Sequence, residues 1–217
     1  MTVKNLKEQS MNKYLFLILF FLPLSSCNRL QVVDSKNEAG QLVERFTIDP
    51  KTKLKEGLHE TFFADTGGKC EESNYKAGIL RGEQIFYFEN GQVKERRNFD
   101  ENGSFTGIFK SYYENGHLNS EGQYENGSMD GKWKFFFKTG NIKDIIFYKN
   151  NVQNGPFIRY RVNGKIASEG TFLNEVETGL LKLYDDKGNL TTQQQCENGN
   201  CLTTWKSSIS ADKVKKL

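Results

Sequence analysis

The sequence predicts an all-β protein: an elongated antiparallel meander of consecutive β-hairpin repeats, with about a dozen short strands in a single-layer twisted sheet. The first observation is a set of glycines that recur at steps of 25, 25, 24, 24 and 24 residues. These anchoring glycines are Gly57, Gly82, Gly107, Gly131, Gly155 and Gly179. The second observation is that the segments between them are rich in Phe, Tyr, Ile and Val, which suit half-buried strands. A fixed period of this length indicates stacked copies of one small unit.

Each unit has the same internal order. An aromatic residue lies five positions after the anchoring glycine, and in five units a second glycine lies nine positions after it. Asparagine precedes the second glycine at Asn90, Asn115 and Asn163, and Asn-Gly accommodates the positive φ that two-residue hairpin turns require. A later aromatic residue, replaced by Cys196 in the last unit, closes the second strand, and a return turn follows at residues 102–103, 126–127, 150–151 and 198–199. One unit is therefore predicted to be a hairpin plus a return turn.

The unit resembles the MORN repeat variant family, and residues 107–130 and 131–154 are its clearest copies. The likeness covers residues 40–205, so most of the chain is predicted to be one MORN-like array. The resemblance implies an interaction scaffold, because MORN-type repeats serve in many binding settings. Some bacterial relatives are described as antitoxins, but repeats alone do not transfer a function.

The N-terminal region predicts export. Lys13 precedes an apolar run over residues 14–24, which is too short to span a bilayer and has the length of a signal-peptide core. The run ends in Leu24-Ser25-Ser26-Cys27, which resembles a bacterial lipobox with Cys27 as the lipidated residue. Residues 1–27 are therefore interpreted as an N-terminal extension and lipoprotein signal peptide, starting at Met1 or Met11. The alternative is an ordinary signal peptide cut nearby.

The remaining boundaries follow from composition and from the period. Residues 28–39 are polar and are predicted to be a tether, and residues 40–205 form the array, which opens with a half unit that caps it. Residues 206–217 form a polar C-terminal tail. The expected location is the bacterial cell envelope, lipid-anchored to a membrane, with the outer membrane favoured, and periplasm-facing or surface-exposed.

Two cysteines predict a disulfide bond. Cys196 and Cys201 flank the turn at residues 198–199, close enough to be bridged across a hairpin, and an exported protein can keep such a bond. A metal site is the alternative, but His59 and His117 lie in distant units and spare ligands are lacking. No metal and no cofactor are predicted.

The sequence predicts no enzyme. No nucleophile, base and orienting group recur together, and no dinucleotide or zinc-protease motif occurs. Glu95, Glu121 and Glu169 occupy related positions and are interpreted as solvated strand residues balanced by Lys and Arg across the sheet. A net charge of +3 with both signs interspersed predicts no nucleic-acid partner.

Two aromatic rows are the candidates for binding. One row contains Phe109, Trp133 and Phe157, and the other contains Tyr112, Phe136 and Tyr160. An aromatic strip interrupted by polar residues can bind a carbohydrate, a peptide strand or a protein loop. The alternative is that the rows are core, which is favoured for the second row, because a one-layer sheet must bury what it can.

The leading interpretation is a non-enzymatic, membrane-anchored repeat scaffold that binds a protein partner in the cell envelope. It would bind through its sheet face or by strand addition at an edge. A glycan- or cell-wall-binding module using the first aromatic row is one alternative. An antitoxin-like or immunity protein is another.

Overall fold

The computed structural model describes residues 29–208, which form one open antiparallel sheet without an α-helix. The predictions for Cys27, for the signal peptide and for most of the tail lie outside these residues. The sixteen strands are β1 Gln31–Lys36, β2 Leu42–Ile48, β3 Lys55–Phe62, β4 Lys69–Lys76, β5 Ile79–Leu80, β6 Gly82–Tyr87, β7 Val93–Phe99, β8 Phe105–Tyr112, β9 Leu118–Glu125, β10 Ser128–Phe136, β11 Ile142–Lys149, β12 Val152–Tyr160, β13 Ile166–Leu173, β14 Val176–Tyr184, β15 Leu190–Glu197 and β16 Asn200–Lys206. Within residues 29–208, no helix has the length and apolar content needed to cross a bilayer.

The strands follow one another in sequence order across the sheet. Each strand pairs with its sequence neighbour, except that β5 lies beside β4 and β4 pairs onward with β6. The prediction of an all-β meander of consecutive hairpins is confirmed, and the six predicted hairpins are β3–β4, β6–β7, β8–β9, β10–β11, β12–β13 and β14–β15.

The predicted count of about a dozen strands is too low, because β1, β2, β5 and β16 lie outside the six hairpins. The tether predicted over residues 28–39 is also wrong in part, since β1 pairs with β2. The Arg45 Nε and Nη2 atoms donate to the two Asp34 carboxylate oxygens at 2.8 Å each. This ion pair joins β2 to β1. The array therefore begins at Gln31 and runs to Lys206, one residue past the predicted limit.

The hairpin turns differ from the predicted two-residue geometry. In the turn after β6, the Phe88 N–H donates to the Gln92 carbonyl at 2.8 Å, and the Gly91 N–H donates back to the Phe88 carbonyl at 2.9 Å. Gly91 has a φ of 80°, whereas Asn90 has a negative φ. This is a three-residue loop with glycine in the left-handed position. The two-residue turns with two positive φ values are instead return turns, as at Asn126-Gly127, with φ values of 50° and 79°.

Asparagine has a second role in the hairpin turns. The Asn115 Oδ1 atom accepts the His117 N–H at 3.2 Å, and the Asn115 Nδ2 atom donates to the Lys138 carbonyl of the next unit at 2.9 Å. Asn90 and Asn163 bridge to the following unit in the same way. On the opposite edge, return-turn amides donate to the first strand of the preceding hairpin, as from Gly127 to Phe105 at 2.7 Å. Both rows of turns are thus tied from unit to unit, which fixes the period.

The anchoring glycines lie inside the first strand of each hairpin and bend it. Gly131 has a φ of 72°, and it faces Tyr148 on the second strand. Toward the preceding hairpin, the pairing jumps from Asp130↔Gln123 to Lys134↔Glu121, so three residues lie opposite one. This bulge requires the positive φ that glycine tolerates best. Each anchoring glycine faces the late aromatic residue of its unit, or Cys196 in the last one.

The core lies on one face of the sheet, here called the inner face. Its main cluster consists of Ile146, Phe157, Phe172, Leu181 and Cys196. The opposite, outer face carries Lys–Glu pairs and exposed apolar side chains, including Ile108. Because strand residues alternate between faces, the bent sheet has one apolar side and one largely polar side.

Candidate functional site

The first aromatic row lies on the inner face and is largely buried. Trp133 is 2% exposed and Phe157 is 1% exposed, while Phe109 is half-buried. The Trp133 ring lies 5.5 Å from the Phe109 ring and 5.2 Å from the Tyr124 ring, centroid to centroid. The interpretation of Trp133 and Phe157 as ligand contacts is therefore wrong, because these rings fill the core.

Two glycines explain why these rings can be buried in a one-layer sheet. Gly122 lies under the Trp133 indole, and a Cβ atom there would come within 2.2 Å of the ring. Gly170 lies under Phe157, with 3.0 Å between a Cβ atom and the ring. Each glycine stands two positions before the late aromatic residue of its unit. That signal is visible in the sequence, and it would have assigned the first row to the core.

The second aromatic row lies toward the hairpin turns on the outer face. Tyr112, Phe136 and Tyr160 pair directly with the aliphatic residues Leu118, Ile142 and Ile166. Phe136 is only 9% exposed, so for this ring the core interpretation holds. Tyr112 and Tyr160 are half-buried, and part of each ring faces solvent. This row can contribute to a binding surface only through its two tyrosines.

The first position of the aromatic row on the inner face holds a buried polar side chain instead of Phe or Trp. His59 is 5% exposed, with its Nε2 atom 2.9 Å from Glu44 Oε1 and its Nδ1 atom 3.1 Å from Ser73 Oγ. Burial raises the pKa of Glu44, but the hydrogen bonds from His59 and Lys55 outweigh it, and the pKa lies below its ordinary value. Next in the row, the Gln84 amide donates to Glu71 at 2.7 Å. Sequence reasoning gave His59 no role, whereas the structure makes it the centre of this cluster.

The serine, histidine and carboxylate of this cluster have the residue types of a hydrolase triad. Ser73 has 0% exposure, however, so no substrate can reach its hydroxyl oxygen. The Ser73 hydroxyl also lies 3.1 Å from Glu71 Oε1 as a donor. The arrangement supplies each buried polar atom with a partner, which is the ordinary requirement for polar groups in a core.

The three related glutamates divide between the two faces. Glu121 accepts from Lys134 at 2.7 Å and Glu169 accepts from Lys182 at 2.8 Å, both on the outer face, so the predicted charge balance is confirmed for these two. Hydrogen bonds from Lys182 and Tyr184 lower the pKa of Glu169. Glu95 lies one position out of phase, counted from the late aromatic residue, and therefore lies on the inner face.

The inner-face position of Glu95 gives it a different partner. It contacts the Arg97 guanidinium, which also lies over the Phe86 ring at 4.9 Å. The prediction that Glu95 is equivalent to Glu121 and Glu169 is therefore wrong, because Glu95 is shifted by one residue along its strand and faces the other side of the sheet.

The C-terminal edge strand is held to its neighbour by a disulfide. Cys196 and Cys201 pair directly across the turn, with a Cα–Cα distance of 4.0 Å, and their sulfurs are bonded. Glu177 lies 3.8 Å from Cys201 Sγ, a third potential metal ligand that the sequence did not suggest. With both sulfurs joined, this group holds no pair of thiolates for a metal.

Beyond the disulfide, β16 is open to solvent. Leu202 is 75% exposed and Trp205 is 44% exposed, and β16 is the last strand of the sheet. The period places Trp205 in the row of Trp133. Thr203 stands where an anchoring glycine would be, and the strand pairs one residue out of phase, with Trp205 opposite Gln193. Trp205 therefore does not join the inner row as Trp133 does.

Comparison with known families identifies the repeat. The sequence model of the MORN repeat variant matches three consecutive segments, residues 80–101, 105–126 and 129–150. No curated protein matches the chain significantly. The matched segments cover β6–β7, β8–β9 and most of β10–β11, each of which carries the bent first strand described above. Residues 80–150 of the chain therefore contain three consecutive MORN repeat variants.

Proposed function

We propose that this protein is a non-enzymatic repeat scaffold that binds a protein partner in the bacterial cell envelope. Lipidation of Cys27 would hold it to a membrane, with the outer membrane favoured. The observation that carries the proposal is the exposed terminal strand β16. Leu202 and Trp205 project from an edge that is the last of the sheet.

The two edges of the sheet differ in protection. Strand β1 carries two charged residues, Asp34 and Lys36, which discourage further pairing, whereas β16 carries one, Lys206, at its end. The pairing of β16 with β15 is itself irregular, because Thr204 is an extra residue between the partners of Gln194 and Gln193. The sequence of β16 before Lys206 is Asn-Cys-Leu-Thr-Thr-Trp, which contains no proline and no charged residue. Such a strand suits addition of an extended segment, in which backbone hydrogen bonds give affinity and alternate side chains give specificity.

The edge is tested by crosslinking in cells. A photoreactive amino acid at Leu202 is expected to capture a defined protein, because this side chain stands on the proposed docking edge. The control is the same photoreactive amino acid at Val162, which is 54% exposed and lies in a distant hairpin turn. Capture from both positions alike would contradict edge docking. Capture of cell-wall glycan in place of a protein would instead support the glycan-binding alternative.

The anchor is tested separately. Cys27→Ala is expected to release the protein from membranes into the soluble exported fraction, because several acyl chains on one residue hold far more firmly than one. Fractionation with a salt wash, followed by immunoblotting, measures the release. Sedimentation of the variant with membranes after the wash would contradict lipidation as the anchor.

A further inference from the structure

Two clefts occupy equivalent places on the outer face, two repeats apart. The first has a volume of about 430 Å³ and lies over Gly122, and the second has about 260 Å³ and lies over Gly170. The side-chain positions of both glycines point to the inner face, toward Trp133 and Phe157, and on the outer face the backbone forms the floor of each cleft where the next strand bulges. Each cleft therefore lies on the opposite side of the sheet from a buried ring.

The first cleft carries a surplus of positive charge. Three lysines line it, Lys110, Lys132 and Lys134, against two carboxylates, Glu121 and Asp130. Both carboxylates are engaged, because Glu121 accepts from Lys134 at 2.7 Å and Asp130 lies 3.0 Å from Lys149 outside the cleft lining. Within residues 29–208, Lys110 and Lys132 have no ion-pair partner. Their ammonium groups are available to an external anion.

An apolar side chain stands beside these cations. Ile108 lines the first cleft and is 62% exposed, which makes it one of the most exposed large apolar residues of the described chain. A ligand that brings an anionic group together with an apolar group fits this cleft. A peptide segment with acidic and aliphatic residues has this chemistry.

The second cleft has the same shape with different chemistry. Pro156, Ile158 and Leu180 stand two periods after Ile108, Lys110 and Lys132, respectively, so apolar side chains replace both unpaired lysines. Its remaining charges, Lys182 and Glu169, are paired with each other at 2.8 Å. Leu180 is 46% exposed. This cleft suits an aliphatic side chain and offers no free cation.

The spacing of the clefts sets the length of a ligand that reaches both. Gly122 lies in β9 and Gly170 lies in β13, four strands apart, which is about 19 Å at the usual strand separation. An extended peptide covers that distance with about six residues.

We propose that the outer face binds an extended acidic–apolar segment of a protein partner. Its carboxylates lie on Lys110 and Lys132, and its aliphatic residues lie on Pro156 and Leu180, about six residues away. This inference rests on the proposed scaffold function and names the chemistry of the partner. It uses a surface separate from β16, so the two can be tested apart.

The test uses the full mature chain and a dye-labelled twelve-residue peptide. The peptide carries Glu-Glu near one end and Leu-Val six residues later, with Ser and Gly elsewhere. Fluorescence anisotropy is expected to show saturable binding that weakens with salt, because exposed charge pairs are screened. Replacing both glutamates by glutamine, or moving Leu-Val next to Glu-Glu, is expected to weaken binding at least tenfold.

The protein variants supply the control. Lys110→Glu with Lys132→Glu is expected to weaken binding at least tenfold. Lys165→Glu with Lys187→Glu changes the net charge equally at two exposed turn lysines and is expected to have little effect. Equal weakening by both pairs, or no saturable binding of the peptide to the parent protein, would overturn the cleft assignment. If capture through Leu202 persists in that case, the scaffold function stands while the acidic-segment proposal is withdrawn.

Discussion

Gly122→Ala is expected to disturb the centre of the inner face, although it adds a single methyl group. The new Cβ atom would lie 2.2, 2.3 and 2.6 Å from three atoms of the Trp133 ring. Ordinary carbon contacts begin near 3.5 Å, so the ring must retreat by about 1 Å. Overpacking a well-packed core costs about 1–3 kcal/mol, and this contact is close enough to place the change in the upper part of that range. The ring cannot move freely, because Phe109 and Tyr124 pack against it.

The measurement is urea unfolding followed by far-UV circular dichroism, with thermal melting alongside. For a domain of this size, each kcal/mol lowers the Tm by about 2–4 °C. Gly68→Ala is the matched control, because Gly68 has an ordinary φ and its nearest neighbour would be Thr66 Oγ1 at 3.3 Å. Trp133→Leu supplies the second arm, since Leu181 occupies the same row. In that background, Gly122→Ala should cost much less. Equal losses at Gly122 and Gly68, or strict additivity with Trp133→Leu, would refute the packing of the indole on Gly122.

Three further predictions concern the turns, the disulfide and one acidic side chain. Gly140→Val should lower the Tm more than Lys138→Val, because Gly140 has a φ of +91° and a β-branched residue there costs about 1 kcal/mol or more; equal effects would contradict the turn assignment. Reduction of Cys196–Cys201 should remove about 2 kcal/mol and speed hydrogen exchange in β15–β16 while leaving residues 82–154 protected, whereas loosening of every repeat would exclude local coupling. Burial raises the pKa of Asp144, so its ionisation in the folded protein costs stability as the pH rises through that pKa, and Asp144→Asn should stabilise the protein at pH 7 but not in acid. A pH-independent effect in urea unfolding would contradict this reading.

The sequence allowed the repeat to be predicted because its determinants are local. A positive φ selects glycine at Gly131 and Gly140, and the strand positions between them carry Trp and Phe. These residue preferences predict the hairpins, their order and the pairing of Cys196 with Cys201 across a turn. They act within one unit, so reading the chain alone was sufficient.

The features that sequence reasoning missed depend on contacts between units. Burial of Trp133 depends on Gly122 in the preceding hairpin, and sequence reasoning did not use the recurrence of glycine two positions before the late aromatic residue, at Gly122 and Gly170. The strand β1 lacks the glycine pattern and forms because β2 offers it an edge. His59 is accommodated at an aromatic position because Glu44, on the preceding strand β2, supplies a partner. The prediction of two-residue hairpin turns at Asn-Gly failed for a different reason, because the same dipeptide occurs in three-residue loops and in two-residue turns.

The asparagines that bridge one hairpin turn to the next are also sites where the array is open to deamidation. Asn90, Asn115 and Asn163 each precede glycine, and glycine offers the least steric hindrance when its backbone nitrogen attacks the side-chain carbonyl carbon. That cyclisation expels ammonia, and hydrolysis leaves a carboxylate or an isomerised backbone. At Asn115 the Nδ2 donor to the Lys138 carbonyl would be replaced by an oxygen that repels it. Ageing of the protein would therefore begin at the joints between repeats, and each event would add one negative charge to the edge of the sheet.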